Sequence, residues 1–198
     1  VEQKYRTGNV KKLLIENGLS LLNKVGYNDF SIRKVAAMSG VSHGAPYKHF
    51  KNKEELIAAI GIQVEGDFKD SLEEAVLKYM AQPQTQLIEM GKKYVQFMVE
   101  NPEYLKFLFL GPREQNIKLA EGQLIYKKSS AFSVFKDTAS NYLDSIGKDP
   151  TACAADILTM WSMVHGIAIL IAEQSLEIEG DYLEVVSNML CYAVKLMH

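Results

Sequence analysis

Between Ser31 and Lys53 the chain reads SIRKVAAMSGVSHGAPYKHFKNK, and its polar residues are of the kinds that meet nucleic acid. Tyr47, Lys48, His49 and Lys53 carry hydroxyl, ammonium and imidazole donors, which suit phosphate oxygens. Just ahead of them stand Ser42, His43, Gly44 and Ala45. Small residues there permit close approach to base edges and contact with thymine methyls. Ser31 and Arg33 are placed to hold further phosphates or to reach the groove wall. Such chemistry needs a rigid support, and the spacing supplies one. Ser31 can cap a helix whose apolar face is Ile32, Val35 and Ala36, at i, i+3 and i+4. Gly40 follows, where a left-handed cap favours a residue without Cβ. Val41 returns to the core, and Ser42 can cap a second helix over roughly 43–50. Two short helices joined by a tight turn make a helix-turn-helix, whose second helix enters the DNA major groove. Pro46 fits only a first helical turn, so the start of that second helix stays open.

Charge points the same way. The whole chain of 198 residues is at −2, but residues 1–53 carry ten Lys or Arg against three acids, net +7. The remainder is acidic, with twelve basic residues against twenty-one acids. A basic end on an acidic body is the electrostatic footprint of a nucleic-acid binder.

The rest of the chain reads as all-α, about nine helices. A first helix is expected over 7–25, stopped by Gly26, with Phe30 anchoring the next element. Asn52 and Glu55 resemble a capping box opening a long helix to about Met80, and Leu56, Ile60, Val64, Phe68, Leu72 and Val76 form its stripe. Further helices are expected over 85–100 and 103–110, then a polar loop. Helices over 123–146, 149–176 and from 181 to the end complete the chain. No strand and no internal repeat is evident. The uncharged run 157–172 reads as a buried helix, too short for a membrane span. The domain boundary is expected at 53/54, with DNA binding in 1–53 and effector binding and dimerisation in 54–198.

The string VSHGAPYKHFKNKEEL, with Gly26, Phe30, Ser31, Val35, Ala36 and Gly40 before it, resembles the DNA-binding domain of the tetracycline-repressor (TetR) family of bacterial regulators. That likeness covers roughly residues 7–60. A second likeness, Trp161, His165 and Gly166 spaced W-x-x-x-H-G, resembles the C-terminal domain of a Trp-His-Gly subgroup of that family. The resemblance implies that Tyr47, His49 and Lys53 clamp the DNA backbone. It also implies a homodimer and a small-molecule effector held among the C-terminal helices.

Several residues have two readings. Tyr94, Phe97, Tyr104, Phe107, Tyr126, Trp161 and His165, with Met163, are candidates to line an effector pocket; the plainer reading is core, with His165 hydrogen-bonded to a neighbour. Gly166 suggests a close helix contact. Leu183, Val186, Leu190, Ala193 and Met197 form a stripe expected at the dimer interface. Tyr47 and Phe50 are alternatively core aromatics. Cys153 and Cys191 read as small hydrophobes in a reducing cytosol.

An enzyme is not indicated. The chain has no P-loop, G-x-G-x-x-G or G-x-S-x-G motif, and its four histidines are scattered. No metal site and no cofactor are expected, and no secretory signal is visible at the start. The expected function is a cytoplasmic transcriptional regulator, a repressor released from operator DNA by a mostly apolar effector. The alternatives are a helical protein-interaction module or a constitutive DNA binder without an effector pocket.

Overall fold

The computed structural model describes residues 7–110, 117–128, 130–149 and 153–196. Among them are eight α-helices and one β-hairpin. The chain forms two compact units, Val1–Val64 with Glu103–Gly111, and Glu65–Pro102 with Pro112–His198. The division thus falls inside a helix, past the 53/54 boundary expected from sequence, and 103–111 joins the first unit.

In the first unit α1 runs Thr7–Asp29, interrupted at Gly26, where φ is 73° and ψ 175°. An L side chain resists that φ, so glycine breaks the helix where the sequence suggests. Helix α2, Ile32–Met38, buries Ile32, Val35 and Ala36. Its end is a Schellman motif: Gly40 has φ 65°, its N–H donates to Ala37 O at 3.1 Å, and Val41 N–H reaches Ala36 O at 3.1 Å. Helix α3, Lys53–Lys78, has 26 residues and so is about 39 Å long. Asn52 Oδ1 accepts from Glu55 N–H at 2.9 Å, and Glu55 reaches back to Lys51 N–H at 2.6 Å, one residue earlier than a standard capping box. Leu56, Ile60 and Val64 are buried on this side of α3. Helix α5, Pro102–Leu105, passes into a π-helical turn, Lys106–Leu110.

In the second unit α4, Pro83–Glu100, is the central element, packed against α6 (Ala131–Ser145), α7 (Ala154–Ala172) and α8 (Tyr182–Lys195). Phe68 and Leu72 of α3 are buried here.

Two stretches differ from the sequence reading. Residues 117–126 were expected as loop and helix but form antiparallel strands β1, Ile117–Ala120, and β2, Gln123–Tyr126. The intervening Glu121 and Gly122 have φ 51° and 75°, as a two-residue hairpin turn needs. Helix α6 therefore starts at Ala131, where the Ser130 side chain accepts from Ser133 N–H. Helix α7 stops at Ala172, short of Leu176, because Gln174 takes a left-handed φ of 56° and Ser175 N–H folds back to Leu170 O at 2.8 Å.

Candidate nucleic-acid interface

The second helix of the motif is shorter than the expected 43–50. It is a single 3-10 turn, Pro46–Lys48. Proline explains the difference: it lacks an N–H and its ring clashes with the carbonyl four residues earlier, so no regular helix passes from 43 through 46. Ala45 N–H instead donates to Ser42 O at 2.9 Å, and His49 and Phe50 N–H both reach Pro46 O at 2.9 Å. The turn is pinned from beneath by buried Pro46 and Phe50. Phe50 is thus core, whereas Tyr47 is 53% exposed and is not a core aromatic.

This leaves a compact array of donors facing outward. Arg33, Ser42, His43, Gly44, Tyr47 and Lys48 are exposed, while Ser31, Ala45, His49 and Lys53 are half-buried. Ser31 occupies the α2 N-cap position but makes no side-chain capping bond, so its hydroxyl is not committed to the helix. Lys53 is committed: its Nζ donates to Tyr27 O at 3.0 Å and lies 4.2 Å from the Tyr27 ring centre. Tyr27 O–H in turn donates to Glu54 Oε1 at 3.3 Å.

Sequence reasoning missed the residues that hold this array steady. Asn17 on α1 donates to Ser39 Oγ at 3.2 Å, tying α1 to the buried end of α2. A Cβ at Gly18 would stand 2.9 Å from Ile60 Cδ1, so Gly18 lets α1 lie close on α3. Asn17 and Gly18 gave no signal because neither breaks the helical pattern.

The candidate effector residues divide between the units. Tyr104 and Phe107 belong to the first, and Phe107 lies 3.7 Å from where a Gly61 Cβ would be. The others are in the second, where Tyr94, Trp161 and His165 pack on one another. Tyr94 is 1% exposed, and its phenol oxygen is 3.0 Å from His165 Nδ1. Trp161 stacks on His165 at 5.6 Å between ring centres. Phe132 meets Trp161 edge-on at 5.1 Å and Tyr126 at 5.4 Å, and Phe97 lies 5.2 Å from Phe68. Burial pushes the Tyr94 phenol well above the ordinary tyrosine range and pulls His165 below the ordinary histidine value, so the imidazole is neutral, and its tautomer sets which of the two groups donates in the shared hydrogen bond. His165, half-buried, is thus hydrogen-bonded inside the unit.

A cavity of about 370 Å³ lies elsewhere in this unit, among α4, α7, α8, Phe135 of α6 and Lys148 beyond that helix. Of the residues named for a pocket, only Met163 lines it.

The stripe expected at an interface is partly buried within the single chain. Val186 and Leu190 are 0% and 7% exposed within a single chain, so they are core; Leu183 and Ala193 are half-buried, and Met197 lies outside the described residues. The exposed apolar side chains of α8 are Val185, Met189, Tyr192 and Leu196. A Cβ at Gly166 would meet nothing within 4 Å among the described residues. Helix α7 is long and apolar enough to cross a membrane by length and composition, and only 33% of that stretch is buried. Burial pushes the Cys153 thiol up, away from reactivity. Among the described residues no cluster could hold a metal ion.

Comparison with known proteins agrees with this geometry. Residues 14–60 match the family described as bacterial regulatory proteins, tetR family, and residues 87–191 match the tetracyclin repressor-like C-terminal domain. The second match contains Trp161, His165 and Gly166. The chain is 21% identical over 182 residues to an uncharacterized HTH-type transcriptional regulator, YobS, of Bacillus subtilis, covering 92% of this chain and 89% of that protein. It is 24% identical over 108 residues to the fatty acid metabolism regulator protein of the same organism, covering 54% and 55%. A TetR-like transcriptional regulator from Rhodococcus sp. RHA1 shares the fold, with a TM-score of 0.70 at 17% identity, covering 98% and 97% of the two chains. With matches over both halves of the chain, on a helix-turn-helix followed by a helical unit, this protein belongs to the tetR family of transcriptional regulators.

Proposed function

We propose that the chain is a homodimeric repressor that binds operator DNA in the cytoplasm through the Ser31–Lys53 segment and is released by a small, mostly apolar effector. The observation that carries the DNA-binding part is the outward array of His43, Gly44, Tyr47 and Lys48 on a turn fixed by buried Pro46 and Phe50. His43, Gly44 and Ala45 read bases. Tyr47, Lys48 and His49 hold phosphates, with Arg33 and Ser31 beside them. Lys53 acts partly through Tyr27, whose carbonyl it holds.

One such turn reads only a few base pairs, so useful specificity takes two copies about 34 Å apart, one helical turn. Val185, Met189, Tyr192 and Leu196 recur at i, i+4, i+7 and i+11, an exposed stripe suited to a partner helix. Leu170 of α7 is 45% exposed, and Gly166 and Ser162 leave room for close approach. A twofold four-helix interface of α7 and α8 uses both.

Effector control is supported by the cavity in the second unit and by α3, which has residues in both units. A relative named for regulation of fatty acid metabolism fits an apolar effector.

Selection of bound sequences from a random duplex pool tests the DNA-binding part. Lys48→Ala is expected to weaken binding to all duplexes alike and to lower the salt slope by about one unit per half-site. Changes at His43 or Ala45 are expected to alter the selected sequence. Recovery of no shared sequence, with an unchanged salt slope for Lys48→Ala, would overturn the reading and favour an interaction module.

A further inference from the structure

The cavity in the second unit has walls of one chemical kind. Leu87, Ile88, Met160, Met163, Val164 and Leu190 contribute aliphatic carbon and thioether sulfur, and Phe135 is the one aromatic ring. Gly91 shapes it. A Cβ there would come within 2.9 Å of Leu190 Cδ1 and 3.4 Å of Val164 Cγ1, so glycine alone lets α4 lie this close to α7 and α8. An aliphatic space of this sort, with few aromatic faces to stack on, suits a flexible chain better than a flat ring system. At about 30 Å³ per atom-sized unit, roughly a dozen non-hydrogen atoms fill about 370 Å³.

The polar groups of the lining are Lys148, Asp156 and Thr159. Lys148 Nζ stands 3.4 Å from both Asp156 oxygens. A tight charge-assisted bond is about 2.7–2.9 Å, so this pairing is loose. The two partners differ in what else supports them. Asp156 lies in the first turn of α7, where the helix N-terminus favours a carboxylate even without the lysine. Lys148 has three donors and, among the described lining residues, no anion but Asp156. An entering anion can share Lys148 without stranding Asp156. An entering cation would be placed beside the Lys148 ammonium.

We propose that this cavity binds an unbranched aliphatic monocarboxylate of about ten carbons, its chain along the α4, α7 and α8 walls and its carboxylate on Lys148. The proposal rests on the effector-controlled reading and gives its effector a chemical class. Leu196, 68% exposed, belongs both to this lining and to the exposed stripe of α8, so side chains of a second copy are the competing occupant.

The test uses the intact protein and calorimetric titration with decanoate, decan-1-ol and decylamine below their micellar concentrations. Decanoate is expected to bind once per chain, at least about tenfold tighter than decylamine. Lys148→Gln should weaken decanoate about tenfold or more and leave decan-1-ol unchanged. Ala193→Leu puts three more carbons into the space at a good helical position, and should abolish binding with the melting temperature kept or raised. Equal affinity for all three headgroups, or a Lys148→Gln protein that binds decanoate normally, would overturn the assignment. Decanoate binding that vanishes as concentration carries the chain from monomer to dimer would give the space to the second copy and likewise overturn it. Operator affinity with and without decanoate is measured separately. Head-selective binding that leaves operator affinity unchanged upholds the carboxylate site and removes only the effector role.

Discussion

Tyr94→Phe removes one oxygen from the centre of the second unit and is expected to be severe for so small a change. The side chain is 1% exposed, so no water replaces the lost group. His165 Nδ1 loses its hydrogen-bond partner at 3.0 Å. A net hydrogen bond contributes about 1 kcal/mol, and a buried polar group left without its partner costs about 1–3 kcal/mol. The ring packing against Phe68, 5.0 Å away and edge-on, is retained, so no packing loss is added. The expected destabilisation is about 2–3 kcal/mol. In a chain of this size that lowers the melting temperature by roughly 5–10 °C. Urea denaturation of Tyr94→Phe, His165→Leu and the double variant measures it. The two single effects should not add: once His165 is leucine, removing the phenol should cost at least about 1 kcal/mol less. A Tyr94→Phe protein within about 0.5 kcal/mol of wild type, or strict additivity, would refute the packing argument and reopen these residues as a ligand surface.

Other expectations follow from single positions. Gly40→Ala places a Cβ at φ 65° and should cost about 1–2 kcal/mol, read by denaturation, although nothing crowds the new atom. Val186→Glu should unfold the second unit, whereas Tyr192→Glu should leave it folded and convert the proposed dimer to monomer by sedimentation. Asn52→Ala removes the acceptor for Glu55 N–H and should cost about 1 kcal/mol. Burial lowers the His165 pKa below its ordinary 6.5, so the unfolded chain binds the extra proton first. Stability should therefore fall as pH drops from about 6.5 toward the folded-state pKa, then level off. His165→Gln should remove that part of the pH dependence.

The positions legible in sequence are those where one residue type has one physical use. Gly26 and Gly40 sit at the positive φ that glycine tolerates, and Asn52 caps the helix it precedes. Pro46 showed the strain but not its resolution, because whether the chain restarts as an α-helix or stops after one 3-10 turn depends on Phe50 being drawn into the core. The hairpin was hidden for two reasons. Glu-Gly is a weaker turn signal than Asn-Gly or Asp-Gly, and strands of four residues are too short for alternation to outweigh a helical pattern. Gln174 ends α7 in a conformation its side chain does not announce.

The interface stripe shows a different limit. Helix α8 is apolar around most of its circumference, so periodicity identifies a stripe but not which side faces the chain's own core. Val185 is exposed and its neighbour Val186 is buried. The cavity was missed through the choice of residue: aromatic side chains at helical spacing drew attention, but the cavity is walled mainly by aliphatic side chains and methionine.

The most direct measurement of the central claim is fluorescence anisotropy of the intact protein on its selected duplex across a range of salt. One dimer per duplex is expected, with log Kd rising linearly in log salt at a slope of several units, each phosphate contact adding about 0.9. Nonspecific duplex should bind at least about a thousandfold more weakly. Equal affinity for selected and random duplexes, or binding insensitive to salt, would contradict the assignment of Ser31–Lys53 as an operator-reading surface.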